Sequence, residues 1–145
     1  MSTINFQTNL PKPIQTVWHA WITPSEISKW FSPEANIEPR KGGAYELFWD
    51  PSNHDSESTK GCKITEYQPL KKLSFQWKGP DQFSHIMGMP PQTHVDVTFE
   101  EIDGQTLVSV THSGWKQGAD WDEAREWHRK AWIGVLADLE KYLTS

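Results

Sequence analysis

The last stretch of the chain constrains the fold most. From about Asp120 to Leu143, residues Ala124, His128, Ala131, Val135, Leu139 and Tyr142 recur at helical spacing and fall on one stripe. Trp121, Trp132 and Leu136 flank the stripe on one side and Trp127 on the other. A helix of about 24 residues, rising about 1.5 Å per residue, is a rod of roughly 35 Å that can cross a small domain. Asp120 with Glu123 three residues on predicts an N-cap and capping box, and Lys141 suits the negative end of the helix dipole. The centre of the stripe (Ala124, His128, Ala131) is small and polar, whereas its edges are large. The helix is therefore expected to clamp a sheet at its rims and leave space beneath its middle.

The preceding sequence supplies that sheet. Residues 2–10 alternate, with Ile4, Phe6, Thr8 and Leu10 on one side, which predicts a half-buried strand ended by Pro11 and Pro13. Ile14, Val17, Trp18, Trp21 and Ile22 keep helical spacing through Ile22. Thr23, Pro24 and Glu26 signal a second, brief helix that holds Ile27, Trp30 and Phe31 and stops at Ser32-Pro33. From Asn36 to about Gly114 the pattern is one of strands and turns. Residues 44–49 and 61–67 read as strands, Leu73, Phe75 and Trp77 alternate with polar residues, and so do Val95, Val97 and Phe99. Asp103-Gly104 marks a hairpin leading to Val108, Val110 and His112. Residues 50–59 form the clearest loop, and 79–92 read as a long mobile hairpin connection. Helices segregated from a run of antiparallel strands indicate an α+β class, read as one domain over residues 1–145.

Composition excludes several functions. A net charge of −5 with both signs interspersed leaves no footprint for nucleic acid. No apolar run is long enough for a membrane span, and the start of the chain lacks a signal-peptide pattern, so a cytoplasmic location is expected. The single cysteine, Cys62, rules out an internal disulfide and reads as a small core or edge residue. Histidines at 19, 54, 85, 94, 112 and 128 show no metal-ligand spacing, so neither metal nor cofactor is expected. The nine tryptophans indicate a heavy aromatic core, an aromatic pocket, or both.

Several motifs occur in a familiar order. They are Trp30-Phe31 followed by Pro33, the Gly42-Gly43 turn, Gly61 leading to Pro69, Leu73-Ser74-Phe75-Gln76-Trp77, and Thr106 through His112-Ser113-Gly114-Trp115. Together they resemble the Hsp90-ATPase-activator-homologue branch of the START-like (SRPBCC, Bet v 1-like) superfamily, and more closely its stand-alone bacterial members. The resemblance implies a helix-grip fold, a curved antiparallel sheet wrapped around the C-terminal helix, often enclosing a cavity for apolar or amphipathic molecules. Fold does not determine function in such a superfamily. Its members include lipid and hormone binders, polyketide cyclases and co-chaperone domains.

Three functional expectations follow. The first is a small-molecule binder holding an apolar or aromatic ligand between sheet and helix. Its cavity is expected to be lined by Trp30, Phe48, Phe75, Trp77, Val97, Val110, His112, Ala124, Trp127, His128 and Ala131. His112 and His128 are its central polar residues, able to orient a carbonyl or phenol or to move a proton near neutral pH. The alternative is that both are hydrogen-bonded structural histidines. The second expectation is a cyclase- or dehydratase-type enzyme using cavity histidines and an acid, with Glu46 a candidate if its side of the strand faces inward. The third is an interaction module with a chaperone partner, which requires an exposed apolar patch and a filled interior.

Overall fold

The protein is represented by a computed structural model that describes residues 3–145; Ser2, the expected start of the first strand, lies outside the described residues. Strand β1 (Ile4–Leu10) is followed by α1 (Ile14–Ile22) and the single turn α2 (Pro24–Ile27). Pro13 precedes α1 in extended conformation, and its carbonyl accepts from the Thr16 and Val17 amides. The helix α1 buries Val17, Trp18 and Trp21, as its spacing predicts, and Ala20 beside them, while Ile14 and Ile22 are half-buried. The α2 start keeps proline in its first turn, but Thr23 makes no side-chain cap bond. Glu26 instead accepts the Tyr142 hydroxyl at 2.5 Å, which joins this turn to the far end of the molecule's long helix.

Five strands make the main antiparallel sheet in the order β1-β7-β6-β5-β4, with β4 at Ile64–Gln68, β5 at Lys72–Trp77, β6 at Thr93–Ile102 and β7 at Gln105–Ser113. The hairpin β2 (Glu34–Ile37) and β3 (Tyr45–Phe48) is a separate ladder that continues the curve through isolated bridges Ala44–Lys63 and Phe48–Ser58. Alternation decides which side is core. Thr106, Val108, Val110 and His112 of β7 are buried, and Val95, Val97 and Phe99 of β6 stand beside them in register. Leu73, Phe75 and Trp77 of β5 complete the same face.

The helix α4 (Ala119–Thr144) lies against this face, and together they form the helix-grip architecture. Its buried seam is Trp121, Ala124, His128, Trp132, Leu136, Leu139 and Leu143. That seam is rotated from the expected stripe toward the Trp132–Leu136 flank, leaving Ala131 and Val135 half-buried and Trp127 41% exposed. Burying the large indoles of Trp121 and Trp132 removes more apolar surface from water than burying Ala131 would, which accounts for the rotation. The expected capping box is also absent. Gly118, at φ 132°, occupies the N-cap position without a side-chain bond, and Asp120 sits in the first turn, 3.2 Å from His85.

The connection over 79–92 is folded, contrary to the expectation of a mobile loop. It contains a 3-10 turn (Asp81–Phe83) and a helical turn α3 (Ser84–Met87), and it buries Phe83 and Met87. Its Asp81 carboxylate accepts from Ser56 Oγ at 2.7 Å and the Glu57 amide at 3.1 Å. Residues 50–59 are thereby fastened to 79–92, and the two loops frame one end of the sheet.

Candidate ligand site

Beneath the middle of α4 the interior is filled by rings. His112 from β7 and His128 from α4 meet edge-to-face, with ring centroids 5.4 Å apart. Trp115 covers both, at 4.6 Å from His112 and 5.2 Å from His128. Tryptophan can only donate, so the indoles set both tautomers. Trp132 Nε1 donates to His112 Nδ1 at 3.0 Å, leaving the proton on Nε2, 2.9 Å from Thr93 Oγ1. The Thr93 hydroxyl then donates to the Trp77 carbonyl at 3.2 Å. Trp77 Nε1 donates to His128 Nε2 at 3.1 Å, and the remaining His128 proton, on Nδ1, goes to the Ala124 carbonyl at 2.7 Å.

Both histidines are consequently neutral and saturated. Burial holds the His112 imidazole well below its usual range, and repulsion from His128 and His94 adds to this. Burial likewise lowers His128 to about 4, partly opposed by its bond to the Ala124 carbonyl. No nitrogen on either ring is left for a ligand or a reacting proton. Their role in this geometry is to receive the Trp77 and Trp132 indole protons and hold those side chains in place.

The open space lies to one side of this cluster. A pocket of about 350 Å³ sits at the Ala131–Val135 edge of α4, against the ends of β3 and β5. Its wall is formed by Phe31, Trp49, Trp77, Trp127, His128, Ala131, Trp132 and Val135, with Gly79 and Pro80. The aromatic rings are one connected set: Phe31 is stacked near-parallel to Trp77 (19°), while Trp49 meets Trp77 edge-on and Trp132 is tilted against it, both at 5.9 Å. The wall offers almost nothing polar. Trp49 Nε1 donates to the Phe31 carbonyl at 3.1 Å, so the indole N–H groups of Trp49, Trp77 and Trp132 all bond to protein. Ser58 Oγ donates to the His54 carbonyl. Charged side chains enter only with Asp50, Glu57 and Lys78.

Of the residues expected from sequence, Trp77, Trp127, His128 and Ala131 lie on this wall. Trp30, Phe75, Val97, Val110, His112 and Ala124 are not part of it; they fill the core. Phe48 is elsewhere, stacked on His54 at 3.9 Å on the side of β3 away from Tyr45 and Leu47. Glu46 shares that outer side. It accepts from Asn36 Nδ2 and the Gly61 amide, and is not a buried acid. Phe31, Gly79, Pro80, Trp132 and Val135 are the wall residues that sequence reasoning missed. Trp49 carried a signal, as an aromatic residue at a strand end beside the clearest loop. Cys62 is buried, and burial pushes its thiol up to about 11. Among the described residues, no group of three or more His, Cys, Asp or Glu side chains is placed to hold a metal ion, and no helix is long and apolar enough to cross a membrane.

A curved antiparallel sheet holding a long C-terminal helix, with an aromatic pocket at the helix edge, defines a helix-grip protein. The chain belongs to the family of Activator of Hsp90 ATPase homolog 1-like proteins, whose model matches residues 11–144. Solved structures share the fold. Protein MLL2253 from Mesorhizobium loti superposes with a TM-score of 0.80 at 20% identity, covering 99% of this chain and 97% of that one. The Aha1 dimer from Colwellia psychrerythraea gives 0.75 at 21% identity, over 99% of this chain and 96% of that one. CalU16 from Micromonospora echinospora gives 0.73 at 20% identity, over 97% and 73%. No curated protein matches the sequence significantly.

Proposed function

We propose that the protein binds a small apolar or aromatic molecule in the pocket between α4 and the ends of β3 and β5. The observation that carries this reading is a space of about 350 Å³ walled by five aromatic side chains whose indole donors, Trp127 aside, are committed elsewhere. Pockets of this size with apolar, aromatic linings are the usual form of small-molecule sites. Water in such a space finds few partners, so its displacement by carbon surface is favourable. A general acid–base role for the histidines loses support, because both nitrogens of each ring are already bonded. The interaction-module alternative finds the filled interior it requires, but the exposed apolar surface at Trp49 and Trp127 lies on the wall of a concave space of about 350 Å³, a shape that suits a small molecule better than a flat protein face.

The test is native mass spectrometry of the protein purified from its own host, alongside Ala131→Trp. Ala131 is half-buried on the pocket wall, so an indole there occupies the space. The expected result is a reproducible small-molecule adduct on the wild type and none on the variant, with thermal midpoints within a few degrees of each other. A wild type that is always empty, or an adduct retained in full by Ala131→Trp, contradicts the reading.

A further inference from the structure

We infer that the ligand carries a positive charge: an apolar or aromatic body without hydrogen-bonding groups, seated among the tryptophans, and an ammonium-type head at the Asp50–Glu57 mouth. The inference rests on the pocket being the ligand site, and the geometry of that pocket carries it. Inside, the wall presents ring carbon and aliphatic surface, since the Trp49, Trp77 and Trp132 N–H groups, both His128 nitrogens and the Ser58 hydroxyl are bonded within the protein. Apart from the indole N–H of the half-exposed Trp127, a buried polar group on the ligand would find no uncommitted side-chain donor among these aromatic residues and would be disfavoured. The polar part of an amphiphile must therefore lie at the opening.

The sign of the head follows from three features that agree. The charged pocket residues are Asp50, Glu57 and Lys78, two negative and one positive. Among the described residues Glu57 makes no ion pair, and the Asp50 carboxylate is engaged only by the neighbouring Ser52 through its amide and hydroxyl. Aromatic walls attract cations through the ring quadrupole and have no corresponding attraction for anions. The chain as a whole carries −5, which concentrates cations around it. Only Lys78 would favour an anionic head, and the two carboxylates outnumber it.

The experiment uses the full chain and three probes with one body: 2-naphthylmethyl-trimethylammonium, 2-naphthylmethanol and 2-naphthylacetate. Binding is followed by tryptophan fluorescence and calorimetry at low and at moderate salt. The cationic probe is expected to bind at least about fivefold more tightly than the alcohol, and the acetate more weakly than the alcohol. Glu57→Gln and Asp50→Asn should each reduce the cation's advantage over the alcohol, and Lys78→Gln should increase it. Salt should reduce it as well. Equal or tighter binding of the acetate, or a cation advantage unchanged in both carboxylate variants, overturns the charge assignment and leaves the pocket reading standing. If none of the three probes binds, both fall.

Discussion

The two buried histidines illustrate how a titratable residue becomes a structural one. His112 and His128 each accept an indole proton, so protonating either ring would set two donors against each other. Their folded-state affinities for protons lie below the ordinary histidine value, His128 at about 4. The unfolded chain therefore binds protons first as pH falls, and stability is lost from about pH 6.5 downward toward the folded-state values. Each histidine is expected to contribute up to about 1.4 kcal/mol of lost stability per pH unit in that window. Urea midpoints measured between pH 7 and 4.5 should show this slope, and it should flatten in a His112→Phe, His128→Leu double variant. At neutral pH, His112→Phe alone leaves the Trp132 indole proton without its acceptor and is expected to cost about 2–4 kcal/mol in denaturant unfolding. The Cys62 thiol, pushed up to about 11 by burial, should react with thiol reagents at pH 8 only as fast as the protein unfolds.

Among elements, the connection over 79–92 departs furthest from expectation. Its glycine, proline and methionine content reads as an open loop, yet Met87 seats against Gly79 beside His128. A β-carbon built at Gly79 would stand 2.6 Å from Met87 Sδ and 3.3 Å from His128 Cε1. Gly79→Ala is therefore expected to displace Met87 and loosen the pocket frame, lowering the thermal midpoint by several degrees. Restoration by a smaller partner in Gly79→Ala, Met87→Ala would identify the clash as the cause. A second connection is the Tyr142 hydroxyl on Glu26, which ties α4 to α2. A double-mutant cycle of Tyr142→Phe and Glu26→Ala should give a coupling of about 0.5–2 kcal/mol, and near-zero coupling would mean the bond contributes nothing.

At the scale of the whole molecule, stability rests on one aromatic-rich core and hardly on charge pairs. The ion pairs among the described residues all involve partly exposed side chains, such as Lys60–Asp55 and Arg129–Glu126. Exposed pairs of this kind contribute little and are screened by salt. Raising sodium chloride from about 0.05 to 0.5 M is expected to move the melting temperature by no more than a few degrees, as calorimetry can check. The order of the main elements, most strand faces and the gripping helix were legible in the chain, because alternation and helical spacing report which side of each segment avoids water; β3, where Phe48 lies on the outer side with Glu46, and the turns within 79–92 were not. β7 illustrates this: the buried side of Val108, Val110 and His112 follows from their parity alone. The pocket was legible only in part. Sequence made His112 and His128 the central polar residues of the expected cavity, and in the structure their rings meet edge-to-face, but packing decided that indoles would fill the space between sheet and helix and that the opening would fall beside Ala131 and Val135. Periodicity describes a residue's side of its own element. Which rings meet across elements, and which donors they satisfy, depends on how α4 rotates to bury Trp121 and Trp132, and only the tertiary structure determines that.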